Sequence, residues 1–250
     1  MPPMGRCQTD GVPEEWLVEE RVASPTELLA GWPAAAADPG VRRVAICRAT
    51  GTALVLGSTQ SIDSVDGEMA QSAGVDVVRR RSGGGAVLVT PDDPTWIDVW
   101  VPTGDDRWDP DVTRAFGWMG AAWGSALGRL GLDRIDVQGS GPGACTRWSS
   151  LVCFGGVGAG EVSVGGRKVV GLAQRRTRAG AWFHSACVQH WDPTDLLELL
   201  DLSPGERAAA NEGLSAAVTG VADEVARLRG PGEGASSPLD VATAFLESLA

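Results

Sequence analysis

The chain has 250 residues, 43% of them hydrophobic, which is enough for one sizeable core. No apolar run is long enough to cross a membrane, and the first thirteen residues contain no signal-peptide core, so we expect a cytoplasmic protein. The net charge of −11 argues against nucleic-acid binding, because neutralising phosphates requires a basic surface. Five cysteines without Cys-x-x-Cys spacing and only two histidines predict reduced thiols and no metal site.

The first half of the chain is predicted to contain two short helices and five short strands. Residues 1–13 are predicted to be disordered, and Ser24-Pro25 predicts the start of a helix over 24–29. A second helix is expected over 64–72. Strands are predicted at 42–47, 53–56, 75–79, 86–89 and 96–101.

The second half opens with a predicted helix over 112–130, whose apolar residues recur at helical spacing. A glycine-rich loop is expected at 138–146, and Gly165-Gly166 predicts a hairpin turn. Further strands are predicted at 151–154, 160–164, 167–173 and 182–188, and further helices at 195–202, 206–228 and 239–249, with a flexible break at 230–238. Because there is no regular βαβ alternation, we predict an α/β fold with a mixed, largely antiparallel central sheet flanked by helices.

Two motifs carry the chemistry. The first is Arg79-Arg80-Arg81-Ser82-Gly83-Gly84-Gly85-Ala86, and the second runs from Gly166 through Lys168 to Arg176. Consecutive glycines let the backbone approach a ligand and aim N–H groups at an anion, although the spacing fits neither a P-loop nor a dinucleotide fingerprint. The basic residues of the two motifs are either solvated strand ends or a positive pocket for a small anion or an acidic partner.

Both motifs resemble the catalytic domain of the lipoate-protein ligase and octanoyltransferase family, which is related to biotin protein ligases. The resemblance covers roughly residues 40–200 and includes the upstream segment 55–60 and Phe183-His184. It implies the biotin/lipoate ligase type of fold, with a catalytic domain over 14–229. Residues 230–250 would then be the flexible break plus a C-terminal helix, without the separate accessory domain that many ligases carry.

The resemblance also implies a set of site residues around one acyl-binding tunnel. Lys168 would contact the acyl carbonyl and stabilise the charge that develops on its oxygen. Arg80 is a candidate anion contact, whereas Arg79 either contacts the anion or pairs structurally. His184 either acts on a reacting group or is a hydrogen-bonded structural residue. The residues expected to line the tunnel or face it are Ser82, Gly83, Gly84, Gly85, Ala86, Gly171, Ala173 and Gln174.

Cys153 separates two enzymatic hypotheses. It lies fifteen residues before Lys168 and is followed by Phe154, an arrangement that resembles the cysteine-dependent octanoyltransferases. A thiolate there would accept an octanoyl group from acyl carrier protein and pass it to a lysine of a lipoyl-domain protein, with no cofactor. The alternative is a buried apolar cysteine with a packing role.

The runner-up hypothesis is an ATP-dependent lipoate-protein ligase that forms lipoyl-AMP with ATP and Mg. The Asn-Asp pair typical of those ligases is missing, since Phe154-Gly155-Gly156 follows the cysteine. A third hypothesis is a non-catalytic acyl-binding module, because the loop continues as 86–89 without the histidine common in the family. In either enzymatic case the expected acceptors are the E2 subunits of 2-oxoacid dehydrogenases and the glycine-cleavage H protein. The natural acyl chain, the acceptor and the oligomeric state stay open.

Overall fold

The structure is a computed structural model that describes residues 16–229 and 237–249. The predicted disorder of residues 1–13 and most of the predicted break at 230–238 lie outside the described residues. The strands are β1 Leu17–Ala23, β2 Arg43–Ala49, β3 Ala53–Leu56, β4 Asp76–Arg79, β5 Val87–Val89, β6 Thr95–Pro102, β7 Ile135–Val137, β8 Ala144–Cys145, β9 Gly156–Val157, β10 Val162–Val164, β11 Arg167–Arg176 and β12 Gly180–Cys187. The α-helices are α1 Pro25–Ala30, α2 Pro33–Ala37, α3 Gly67–Ser72, α4 Gly117–Arg129, α5 Thr194–Glu198, α6 Pro204–Ala217, α7 Val221–Arg229 and α8 Pro238–Glu247.

The centre of the fold is a large sheet with the strand order β1-β2-β6-β12-β11-β10-β7 in the described chain. Only β1 and β2 run parallel within this order, and every other neighbouring pair is antiparallel. A smaller sheet has the order β4-β3-β5, and β8 and β9 form a short ladder. The predicted mixed, largely antiparallel α/β fold is therefore confirmed.

The large sheet is buried on both faces. One face packs on α4, α7 and α8 around Met119, Trp123 and Phe245, and the Trp123 and Phe245 rings lie 4.5 Å apart. The other face packs on α1, α2 and the small sheet, around the rings of Trp32, Trp100 and Trp182. A third core joins the small sheet to α5 and α6. The cavities described below lie where these layers do not close completely.

Local signals explain most of the correctly predicted elements. The Ser24 side chain accepts a hydrogen bond from the Glu27 backbone and the Glu27 side chain accepts one from the Ser24 backbone, which is a capping box at the start of α1. Gly165 and Gly166 both have positive φ, as a two-residue hairpin turn requires, and they join β10 to β11. Within the described residues, no helix is long and apolar enough to cross a membrane.

Three segments differ from the sequence prediction. Residues 151–154 do not form a strand, because the amides of Leu151 and Val152 both donate to the carbonyl of Trp148 in a turn that leads into a 3₁₀ helix. The predicted helix 206–228 is two helices, since the backbone at Val218 and Thr219 bonds to Lys168 on β11 instead. The predicted helix 112–130 begins only at Gly117.

Other differences come from the edges of the fold. Strand β1 was not predicted, because its residues alternate neither as a strand nor as a helix does. It forms a strand because it pairs in parallel with β2. The predicted loop 138–146 contains β8, which pairs with β9. Helix α5 ends at Glu198, shorter than the predicted 195–202, and α3 is preceded by a separate 3₁₀ turn at Ile62–Ser64.

Gly57 fixes the position of the glycine loop. A Cβ atom at residue 57 would lie 1.8 Å from the carbonyl oxygen of Gly84, and that contact is with backbone, which has no side-chain rotamer to yield. A hydrogen bond from the amide of Ser58 to the carbonyl of Ser82, at 2.9 Å, joins the two segments, and Arg79 donates to the carbonyls of Gly57 and Gln60.

We therefore expect Gly57→Ala to displace the loop and to lower the free energy of unfolding by roughly 1–3 kcal/mol. Urea denaturation measures this loss. Gly205→Ala is the matched control, because a Cβ there meets nothing within 4 Å and lies in a helix, so its stability should be unchanged or slightly higher. Equal stability of the Gly57→Ala variant and the wild type would contradict the loop placement.

Candidate active site

An elongated apolar pocket lies between the large sheet and the small sheet. It encloses about 540 Å³ of unfilled space, open solvent at its mouth included. Val55, Val87 and Val89 of the small sheet form one wall. The other lining residues are Leu29, Arg80, Pro94, Trp96, Cys153, Phe154, Gly171, Leu172, Ala173, His184, Ser185 and Ala186. Such a pocket suits a hydrocarbon chain.

A second, more polar depression adjoins the first at Cys153. This polar groove of about 970 Å³ is lined by Ser82, the three loop glycines, Cys145, Glu161 and Gln174, among others. Cys153, Leu172 and Ala173 line both cavities. The half-buried Cys153 side chain therefore lies where a chain held in the apolar pocket would meet a group entering through the groove.

The glycine loop holds the cysteine from the other side. The Cys153 amide donates to the carbonyl of Ala86 at 3.0 Å, and the Ala86 amide donates to the carbonyl of Leu151 at 2.8 Å. The thiol sulfur lies 3.5 Å from where a Cβ of Gly84 would be. The loop predicted to line the site is thus brought directly against the predicted nucleophile, and the buried Ala86 forms the join.

The polar groove contains hydrogen-bond donors that the chain does not use. The buried Ser82 hydroxyl and the Gln174 amide nitrogen have no partner among the described residues. The backbone amides of Gly83, Gly84 and Gly85 likewise donate to no acceptor in the described chain. Unused donors beside a thiol are suited to stabilising an oxyanion or binding a phosphate.

Arg80 binds the glycine loop itself, and Arg79 binds the neighbouring segment 57–60. Arg80 is buried and donates to the carbonyls of Gly83, Gly85 and Val55 at 2.7, 2.8 and 3.3 Å. Arg79 donates to Gly57 and Gln60, as described above. Both guanidinium groups are thus engaged by backbone oxygens. Arg80 holds the glycine loop in shape and also contributes to the wall of the apolar pocket.

Lys168 is fully buried beneath the cysteine segment. Its ammonium donates to the carbonyls of Cys153 and Gly156, both at 2.9 Å, and lies 2.6 Å from a carboxylate oxygen of Glu161. These three acceptors match its three N–H donors, and the ring of Phe154 lies 5.0 Å away. Lys168 and Cys153 are thus brought together through the backbone of residue 153, and Lys168 lines neither cavity. Its contact with an acyl carbonyl stays a prediction.

Glu161 was not identified from the sequence. One carboxylate oxygen also accepts from the amide of Gly158, and the other accepts from the amide of Leu172 at 3.0 Å. The carboxylate therefore joins the cysteine segment, the 156–160 loop and β11. A charged residue in a glycine-rich run just before a strand was the available signal.

His184 forms a pair with a second residue that the sequence analysis missed. Its Nδ1 lies 2.8 Å from Asp98, which is fully buried and also accepts a hydrogen bond from the Trp96 indole at 2.7 Å. The His184 ring also packs on Trp182, with centroids 4.3 Å apart, and lines the apolar pocket. Because Nδ1 is engaged, Nε2 is the nitrogen left for a ligand. The signal for Asp98 was one carboxylate in the centre of an otherwise apolar strand.

The residues that the structure describes include four free thiols and no metal-binding cluster. Cys47, Cys145, Cys153 and Cys187 are free thiols, and burial raises the pKa of both Cys47 and Cys187. Among the residues that the structure describes, no group of three or more His, Cys, Asp or Glu side chains is arranged to hold a metal ion.

The fold and the site together define a class of protein: an α/β domain with a pocket for an apolar chain that ends at a cysteine and a glycine loop. The model of the lipoyl protein ligase A/B catalytic domain matches residues 36–249. The chain therefore belongs to that family, and at the level of the family it is an enzyme of protein lipoylation. The resemblance stated from the two motifs is confirmed.

Solved structures show the same fold at low sequence identity. A lipoate-protein ligase A bound with ATP has a TM-score of 0.66 and 20% identity, with 94% of this chain and 83% of that chain covered. A bipartite lipoate protein ligase studied with its E2 lipoyl domain, from Thermoplasma acidophilum, has a TM-score of 0.64 and 20% identity, with 93% and 82% covered. The T. acidophilum protein Ta0514 with bound lipoic acid has a TM-score of 0.66 and 19% identity, with 92% and 81% covered. No protein of curated function matches the chain in sequence.

Proposed function

We propose that the protein is an octanoyl- or lipoyltransferase that works through a thioester on Cys153. The observation that supports this most directly is the position of that side chain, at the junction of the apolar pocket and the polar groove. The acyl chain would occupy the pocket, and its carbonyl would lie beside the thiol and the unused donors of the glycine loop. The site residues proposed from the sequence remain proposals in this scheme. Arg79 and Arg80 would support the backbone around the thiol, and Glu161 and Asp98 are added as positioning residues.

The proposed reaction has two transfers that balance. The Cys153 thiolate attacks the carbonyl carbon of an octanoyl thioester, the bond from that carbon to the donor sulfur breaks, and the donor leaves as a thiolate that takes up a proton. The neutral amine of an acceptor lysine then attacks the Cys153 thioester. A C–N bond forms, the C–S bond to Cys153 breaks, and the amine proton passes to the departing sulfur. During both attacks the negative oxygen would face the Ser82 hydroxyl and the loop amides.

The proposed acceptors are lipoyl-domain proteins, namely the E2 subunits of 2-oxoacid dehydrogenases and the glycine-cleavage H protein, and the proposed donor is acyl carrier protein. The T. acidophilum neighbour was studied with an E2 lipoyl domain, which is consistent with this class of acceptor.

We propose residues 14–229 as the catalytic domain. Helix α8 packs against α4 and belongs to the same core.

Intact-protein mass spectrometry tests the proposal. The purified chain is incubated separately with octanoyl-acyl carrier protein and with ATP plus lipoate. We expect one octanoyl group, labile to hydroxylamine and mapped by proteolysis to Cys153, in the first incubation. An unmodified chain there, with a tightly held lipoyl-adenylate in the second, would reject the thioester and identify a ligase. Stoichiometric binding of lipoate, with no adduct and no turnover in either incubation, would favour a non-catalytic acyl-binding module.

The second candidate function is that ligase. The unused amides of the loop and the Ser82 hydroxyl are as suitable for a phosphate as for an oxyanion, and the groove is large enough for an adenylate. The residues fit magnesium poorly, because Glu161 is the one carboxylate in the described lining and both its oxygens are already engaged. Lipoate-dependent exchange of pyrophosphate into ATP would favour the ligase.

A further inference from the structure

A third depression, the basic groove, lies on the face of the large sheet beside the site. It is lined by the rings of Trp32, Trp100 and Trp182, the side chains of Arg81 and Arg175, and small residues of α1 and α2. It encloses about 900 Å³, open solvent included. None of the proposed chemical steps uses it.

The two arginines of the basic groove have no acidic partner. Most other arginines of the described chain bond to carboxylates or carbonyls, whereas no hydrogen bond or ion pair engages Arg81 or Arg175 within the described residues. Burial, and then the charge of Arg81, lower the pKa of the Arg175 guanidinium. In a protein of net charge −11, these two neighbouring cations form a local excess of positive charge. A bound anion would neutralise it.

A second, independent feature of the groove is an unused donor. Trp182 is 4% exposed, and its indole nitrogen has no hydrogen-bond partner among the described residues. Of the other two indoles in the groove, that of Trp100 donates to the carbonyl of Pro39 and that of Trp32 donates to Glu19. The indoles of Trp16, Trp118 and Trp123 also lack a partner in the described residues, but none of them lines this groove. A buried indole N–H without an acceptor is unfavourable in the free protein and favours a ligand that brings one.

The basic groove lies beside the active site at two places. Arg81 lines the basic groove and the next residue, Ser82, lines the polar groove. On β11, Arg175 lies two residues from Ala173, and therefore on the same face of the sheet, and Ala173 lines both other cavities. Trp182 also packs on His184 of the apolar pocket. If the lysine of an acceptor protein reached Cys153 through the polar groove, the acceptor residues near that lysine would therefore lie over the basic groove.

We propose that the basic groove binds an acidic segment of the acceptor protein, with carboxylates on Arg81 and Arg175 and an acceptor oxygen on the Trp182 indole. This deepens the proposed function and rests on it, since it assigns the place where the acceptor docks. The aromatic walls would hold the apolar parts of the segment, and the paired charges would align its lysine with the thioester.

Calorimetric titration of the full chain with the unmodified E2 lipoyl domain, and separately with the unmodified H protein, tests the proposal directly. Arg81→Ser/Arg175→Ser is expected to weaken Kd by about tenfold or more at about 50 mM salt, the sum of two ionic contacts. Raising the salt to about 300 mM should weaken wild-type binding and leave the variant nearly unchanged. Arg48→Ser/Arg134→Ser removes the same charge from exposed sites outside the three cavities and should bind like wild type.

Equal Kd for the groove variant and wild type, or no binding of either acceptor to wild type, would overturn the proposal. So would a variant that binds both acceptors normally but has lost affinity for octanoyl-acyl carrier protein, since the groove would then serve the donor. Loading of Cys153 from octanoyl-N-acetylcysteamine, a small neutral donor, is expected to be the same in wild type and variant. Failure of the wild type to load from both this donor and octanoyl-acyl carrier protein would reject the thioester mechanism, and the titration would still decide on the groove.

Discussion

Cys153→Ala is expected to lower octanoyl transfer to a lipoyl domain by at least about 10³-fold, the usual loss when a covalent nucleophile is removed. The side chain lies where the apolar pocket meets the polar groove, and the loop donors that would bind the carbonyl oxygen have no other use in the described chain. Without the sulfur no thioester forms, so direct attack by the acceptor lysine is the only route left. Single-turnover transfer from octanoyl-acyl carrier protein, followed by mass spectrometry of the acceptor, measures the loss.

Cys145→Ala is the matched control, because this exposed thiol lines the same groove and is not placed against the glycine loop. Transfer by this variant should equal wild type. Thermal unfolding of both variants should also be near wild type, since Cys153 is only half-buried. If Cys153→Ala or Cys153→Ser transferred the octanoyl group at the wild-type rate, the thioester would be wrong and Cys153 would be a packing residue.

Lys168→Met is expected to lower the free energy of unfolding by about 3–5 kcal/mol and to abolish transfer. The substitution leaves the carboxylate of Glu161 buried without its cation, and it removes the donor from the carbonyls of Cys153 and Gly156. The cysteine segment would then lose its attachment to β11. Urea denaturation and single-turnover transfer give the two quantities separately.

The double variant Lys168→Met/Glu161→Leu separates stability from chemistry. Removing both charges should recover most of the lost stability, because an apolar pair can replace a buried ion pair. Transfer should stay abolished if Lys168 acts on the acyl carbonyl during turnover, and its full recovery would show that the lysine has a structural role alone. Arg167→Met is the control, because it also removes a cation from an ion pair, here with Glu224. Glu224 keeps Arg227 and Thr219 as partners, so the free energy of unfolding should fall much less.

Several features of the site could be predicted from the sequence because they are local. Consecutive glycines disfavour the interior of helices and strands, so the run Ser82-Gly83-Gly84-Gly85 predicts a loop, and the Gly165-Gly166 pair predicts a hairpin turn. Together with Lys168 and Cys153, these signals were enough to identify the family and the surroundings of the site. Each depends on residues close together in the chain, where backbone preference and side-chain type are read directly.

Other features depended on contacts between distant segments. Residues 151–154 have the apolar composition of a strand, but the turn at Trp148 and the pairing of Val152 with Ala86 give them another conformation. The predicted helix 206–228 is interrupted because the amide of Thr219 donates to the carbonyl of Lys168 on β11, 51 positions earlier in the sequence. Such hydrogen bonds leave no local sequence pattern, because the packing of the sheet determines which residues become partners.

By itself the sequence determined the family, the glycine loop, the lysine and the cysteine, because these are patterns of residue type at fixed spacing. Tertiary structure alone decided what each of them faces. It paired Lys168 with Glu161, placed Asp98 behind His184, and left Ser82 and the loop amides without acceptors in the described chain. It also brought Arg81 and Arg175 together, although 94 positions separate them. Burial and pairing across a sheet are properties of the assembled layers, and a one-dimensional pattern does not contain them.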